Sequence, residues 1–263
     1  MKVIYPDNVT SISVDKQNAN YPIANVQNDY IKKAYKSTNN ACIISAGVSG
    51  GSAVALFGMN ATSATVKTRS GQVGIAWEDT VIEWHDGAVA GADIDWATET
   101  LTTETVKFDT LSTGQAALWC DFTDPGTAFA LEITLSGVAG TALTVGVLRS
   151  GTVIDLADPR YGIQEGLHDY SVQTELNNGA WYYLKRDIVR TFSFALFEDR
   201  ASDFYSLMHS VALLRGRQPL AWRLSENVTD WQWIVYATMQ AMPSGTHDHK
   251  DFSNINVALK EVV

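Results

Sequence analysis

The chain has 263 residues, 46% of them hydrophobic and only 18% charged, with a formal net charge of −10. That length suits one large all-β domain or two ordinary ones, and the acidic balance argues against nucleic acid as a partner. No apolar run approaches the ~18 residues of a membrane-spanning helix, so membrane insertion is not expected.

The start, "MKVIYPDNVTSISVD", lacks the apolar centre of a signal peptide, which predicts synthesis in a cytosol. Cys42 and Cys120 sit in the strand-like runs "ACIIS" and "LWCDF" and read as buried thiols.

The first region reads as short strands: "VTSISV", "ACIIS", "AVALFG", "ATVKTR", "ALWCDF", "FALEITLSG" and "ALTVGVLRSG". Strands of this length divided by Gly, Ser and Asn predict a β-sandwich of jelly-roll type over 1–153. Helical periodicity is weak there and is visible only in "NVQNDYIKKAYKS". An acidic insert at about 77–109 interrupts the rhythm, with nine acids and one Lys between Glu78 and Asp109. The stretch 154–185 carries Pro159, Gly162, Gly166 and Asn177-Asn178-Gly179, and reads as an irregular connector.

Residues 186–263 read as a smaller α+β module, a strand and helix followed by three strands. "RTFSFALF" places Phe192, Phe194 and Leu196 on one face. "EDRASDFYSLMHSVALLRG" predicts a helix, with Phe204, Leu207, Met208, Val211 and Leu214 at helical spacing. Asp199 or Ser202 would start it and Gly216 would end it. "PLAWRL" and "WQWIVYATMQ" are the next strands, the second with Trp231, Trp233, Val235, Ala237 and Met239 on one face. "NINVALKEV" closes the module, with Ile255, Val257 and Leu259 inward. The fold class expected is therefore mainly β, a jelly-roll sandwich followed by an α+β module.

Four groups of residues invite chemistry. Gly47-Val48-Ser49-Gly50-Gly51 matches G-x-S-x-G, the nucleophile elbow, with His85 or His168 as a base. An elbow needs a helix after the serine. "GGSAVALFG" alternates like a strand instead, which predicts a hairpin turn. In "THDHKDF", His247, His249 and Asp251 would share one face of a strand and could ligate a metal. The simpler reading is a polar turn. Asp86, Asp93, Asp95 and Glu99 offer oxygens for calcium but lack the spacing of a calcium loop. Trp77, Trp84 and Trp96 could form an aromatic platform for sugar rings, or serve as core or subunit contacts. The other tryptophans fall in strand patterns and read as core or interface. No phosphate-binding glycine loop and no zinc-type cysteine cluster occur in the sequence, and no cofactor is expected.

Three stretches resemble tail-tip and minor tail proteins (distal-tail-like) of long-tailed bacteriophages. "YPIANVQNDYIKKAYKST", continued by "VALFGMNATSATVKTRSG", is similar to the opening of their galactose-binding-like jelly rolls. "VGVLRSGTVIDLADPRYGIQEGLHDYS" resembles their interdomain junction, and "GAWYYLKRDIVRTFSFALF" with "LRGRQPLAWRL" their C-terminal module. The acidic insert has no counterpart. The resemblance implies a non-enzymatic virion component, working by assembly with other tail proteins in a ring or other symmetric oligomer. It leaves room for attachment to a cell-surface glycan. The main alternative is a carbohydrate-binding protein that uses the jelly-roll domain, with a serine hydrolase third.

Overall fold

The computed structural model describes residues 1–70, 116–122, 128–159, 162–175, 181–199, 218–225, 233–241, 244–246 and 252–262. Its strands in chain order are β1 (Lys2–Asp7), β2 (Val9–Val14), β3 (Tyr35–Lys36), β4 (Ala41–Val48), β5 (Ala53–Met59) and β6 (Ala61–Ser70). Next come β7 (Ala116–Asp121), β8 (Phe129–Gly137), β9 (Thr144–Val145), β10 (Val147–Asp155), β11 (Gln164–Asp169) and β12 (Val172–Glu175). The last are β13 (Trp181–Leu184), β14 (Ile188–Asp199), β15 (Leu220–Arg223), β16 (Ile234–Met239), β17 (Ser244–Thr246) and β18 (Phe252–Glu261). The protein is mainly β, as expected. In "NVQNDYIKKAYKS" and its approach only one 3-10 turn forms, Ile23–Gln27. The helix expected from Asp199 to Gly216 lies outside the described residues, except that Asp199 ends β14.

The chain forms two compact units. The first takes in the described parts of Met1–Lys107, Gln115–Asp155 and Leu220–Tyr236. It is a sandwich of two antiparallel sheets. One sheet has the order β2-β4-β8-β6, and the other runs β15-β1-β10-β5-β7, with the start of β16 beside β15. Strand β8 alternates cleanly, with Phe129, Leu131, Ile133 and Leu135 buried. These meet Cys42, Ile44, Ala46 and Val48 of β4, and Val54, Leu56, Leu118, Cys120 and Leu148 from the opposite sheet, in one core. Each buried Val, Leu, Ile or Phe among them contributes about 1.5–3 kcal/mol.

Strand β5 is buried on both faces. Its second face carries Phe57, whose ring lies 5.2 Å from that of Tyr236. Asp121, ending β7, receives Lys2 from β1 and Arg223 from β15. Those strands stand three and four places away in the sheet. At ~4.8 Å per strand a flat sheet would hold them too far apart, so the sheet curls over this face.

The second unit takes in the described parts of Leu156–Pro219 and Ala237–Val263. Strands β11, β14, β18 and the end of β16 pair in that order, with β17 also on β18. Phe192, Phe194 and Leu196 of β14 and Ile255, Val257 and Leu259 of β18 are buried, as their alternation predicted. Within 154–185, expected to be irregular, lie three strands. β11 pairs with β14, and β12 pairs with β13. "WQWIVYATMQ" is shorter than expected as a strand, since β16 begins at Ile234, and Ile234–Ala237 are buried on both faces.

Candidate functional site

The serine motif is resolved by its surroundings. β4 precedes Ser49, and the strand β5 follows, where an elbow would place a helix. β4 and β5 are not a hairpin either. They lie in different sheets, so the Gly-Ser-Gly-Gly turn is a corner between the two layers. Ser49 is exposed, its backbone N–H donates to the Asn8 carbonyl at 3.0 Å, and the Asn8 side chain donates to the Gly50 carbonyl at 2.8 Å. Gly51 has φ +144°, and a Cβ there would stand 2.4 Å from the backbone of Gly151. A Cβ on Gly151 would in turn stand 1.9 Å from the Pro6 carbonyl oxygen. The glycines let three backbone segments stack, which is a reason for the motif that needs no nucleophile.

His168 lies on exposed β11, its ring edge-on to Tyr170 at 4.5 Å, and Tyr170 also lies 4.3 Å from Lys260 Nζ. Trp119 and Trp222 are core. His85, Trp77, Trp84, Trp96, Asp86, Asp93, Asp95, Glu99, His247, His249, Asp251 and Trp231 lie outside the described residues. Both cysteines are free and buried. Burial pushes the Cys42 thiol up to about 11 and raises Cys120 as well.

Two buried charge clusters organise the sandwich unit. Asp121 accepts from Lys2 Nζ at 2.9 Å, Arg223 Nη1 at 2.8 Å and Trp119 Nε1 at 2.8 Å. The side chains of Asp121 and Arg223 are only 11% and 8% exposed. In the second cluster Arg149 donates to the Leu148 and Asn28 carbonyls, to Asp29 Oδ1 at 3.0 Å and to the Tyr236 hydroxyl at 2.7 Å. It also pairs with Asp7 at 3.5 Å. Burial raises the Asp7 carboxyl above its ordinary value, and the Arg149 charge opposes that rise. Burial likewise pushes the Tyr236 hydroxyl up. These are cross-strand ties with their hydrogen bonds filled.

The second unit presents two surfaces. The first is a ribbon. β11 pairs with β14 up to Asp169↔Ile188, the Tyr170 N–H donates to the Asp187 carbonyl, and β12 pairs with β13 from Val172↔Leu184 to Glu175↔Trp181. The Arg186 N–H donates to Ser171 Oγ at 3.0 Å across the joint. Every residue of β12 and β13 is exposed. Trp181, Tyr182 and Tyr183 are 61%, 55% and 57% exposed, with Leu167, Tyr170, Val172 and Leu184 exposed beside them. Sequence reasoning missed this ribbon because neither face is buried, so no alternation marks it. The usable signal was Asn-Asn-Gly between "SVQTE" and "WYYL", a hairpin turn composition.

The second surface is an open groove of about 460 Å³ lined by Gln164, Ser193, Phe194, Ser244, Asn256 and Val257 among others. Amides and hydroxyls stand there beside apolar walls.

No protein-family model matches the chain, and no curated protein matches it.

Proposed function

We propose that the protein is a non-enzymatic structural component of a bacteriophage tail, at or near its tip, acting through subunit assembly. The observation that carries the assembly part is the ribbon β12–β13. A two-stranded hairpin is marginal in water by itself. One with a Trp-Tyr-Tyr-Leu strand in solvent suits a surface that another subunit covers. The virion part rests on the resemblance of the three sequence stretches to tail proteins. Immunogold labelling of particles released by the cells that encode this chain tests it. Gold at the tail end is expected. Particles free of gold, with the protein loose in the lysate, overturn it.

Carbohydrate binding is the second reading, and the groove on the second unit favours it. Its volume lies in the ligand-pocket range of ~300–1,000 Å³. Gln164, Ser193, Ser244 and Asn256 offer the donors and acceptors that sugar hydroxyls need. Calorimetric titration with surface polysaccharide of the host cell checks it. Saturable heat that disappears in Asn256→Ala supports it, and no heat removes it.

A further inference from the structure

We infer that strand β13 is a self-pairing edge, through which two copies of this chain join their ribbons into a four-stranded antiparallel sheet. The inference deepens the assembly part of the proposed function and rests on it. Three observations lead there.

The first is the free edge. Among the described residues β12 and β13 form a sheet of two strands, and none of the described strands lies on the outer side of β13. An unpaired edge carrying Trp181, Tyr182, Tyr183 and Leu184 is a template for another strand.

The second is the sequence of the edge. Antiparallel pairing about a two-fold axis requires the axis to stand perpendicular to the sheet. Residues that face one another must then point to the same side, so one residue meets its own copy. With Tyr182 on the axis, Tyr182 meets Tyr182 of the second copy on one face. On the other face Trp181 meets Tyr183 of the second copy, and Tyr183 meets Trp181. All three cross-strand pairs are aromatic, and each contributes roughly 0.2–1 kcal/mol beyond an alanine pair. The axis places no like charges opposite one another within these pairs.

The third is the area. At ~200 Å² for a full aromatic side chain and somewhat less for Leu, the exposed fractions of Trp181, Tyr182, Tyr183 and Leu184 on β13 offer at most about 400 Å² per copy. A standard interface buries ~800 Å² per partner, and weaker specific ones less. The edge therefore falls below a standard interface and matches a weak dimer held by backbone hydrogen bonds along β13 as well as by its side chains. A single sugar ring would cover one face of one or two rings. It would leave the unpaired edge in water.

Light scattering of the purified full chain over a hundredfold concentration range tests the dimer, and cysteine cross-linking tests the register. A monomer-to-dimer transition is expected, weakened at least tenfold in Tyr182→Lys. Tyr182→Cys places two thiols within the ~4.4–6.8 Å Cα separation that a disulfide spans. Mild oxidation should then yield a covalent dimer that reductant reverses. Thr174→Cys, on the inner strand opposite Tyr182, should not cross-link. The native cysteines are buried and stay silent. A monomer at every concentration overturns the inference and marks the ribbon as a site for some other occupant. So does a dimer indifferent to Tyr182→Lys, or equal cross-linking of Thr174→Cys and Tyr182→Cys. Gold-labelled tails together with a monomeric chain would refute self-pairing alone. A cross-linked dimer with gold-free particles would refute the tail assignment alone.

Discussion

Asp121→Asn replaces one oxygen and removes one charge at the end of β7. Its effect can be worked from the cluster around it. In the native fold one carboxylate faces Arg223 and Lys2 at 2.8 and 2.9 Å, and accepts the Trp119 indole N–H. Asparagine can keep the indole bond through its carbonyl oxygen. It cannot neutralise two cations. Lys2, 18% exposed at its side chain, can swing towards water, whereas Arg223 at 8% cannot. Breaking a buried ion pair by removing one member costs about 3–5 kcal/mol. The escape of Lys2 puts the expected loss near the low end, about 3 kcal/mol. For a unit of this size that is a fall in melting temperature of roughly 6–12 °C. Urea titration followed by tryptophan fluorescence is the assay, since Trp119 and Trp222 are buried in the same unit. The two compact units call for a fit with two transitions. The double variant Asp121→Asn with Arg223→Met should recover more than ~1 kcal/mol of the sum of the single losses, because it removes both ends of the pair. A loss below ~1 kcal/mol for Asp121→Asn, or strict additivity in the cycle, would refute the idea that the carboxylate holds the curled sheet through its charge.

Gly151→Ala would drive a Cβ to 1.9 Å from the Pro6 carbonyl oxygen. It should abolish soluble folded protein, while Gly140→Ala, with nothing within 4 Å but φ +79°, should cost about 1 kcal/mol by the same urea assay. Arg149→Met should be pH-dependent through Asp7. A carboxyl raised in the folded state loses stability as pH rises through its raised value and regains it in acid. Removing the opposing guanidinium enlarges that loss. The deficit against wild type is then greatest near neutral pH and shrinks as pH falls through the raised carboxyl value. With 30% of the Asp7 side chain in water the pH-dependent part should be modest. A deficit that grows in acid contradicts the assignment. Cys42, with its thiol pushed up to about 11, and Cys120, raised by deeper burial, should not react with a thiol reagent at pH 8 until urea is added. Rapid native reaction of either would mean the core opens there.

The parts of the fold that could be read from the sequence are those where one face of a strand is wet. β8, β14 and β18 alternate, and their inward residues are the ones expected. β5 was readable as a strand, though being buried on both faces it carries only a mild alternation of small and large side chains. The sheet each strand joins was not readable. A glycine turn serves a hairpin and a corner between sheets equally well, so the β4–β5 crossing looked like a hairpin. It takes the contact of Gly51 with Gly151, a hundred residues away, to tell them apart. The ribbon escaped for the opposite reason, since alternation arises from burial and β12–β13 has none. The Asp121 and Arg149 clusters join residues more than a hundred positions apart, and no local pattern encodes such pairs.

The sandwich unit closes only when Leu220–Tyr236 returns to it, after the chain has already run through Leu156–Pro219 of the other unit. During synthesis, β1 therefore emerges more than two hundred residues before its neighbour β15. The growing chain must hold that edge unsatisfied while a whole segment of the second unit leaves the ribosome. At ~5–20 residues per second the wait is at least about ten seconds, long beside the ~1–10 μs in which a hairpin forms. A fragment ending at Asp155 would lack the strand on one side of β1, the hydroxyl that caps Arg149 and the arginine that faces Asp121. Such a fragment should misfold or aggregate where the full chain folds, so the two units form a single unit of expression although they are distinct as packed bodies.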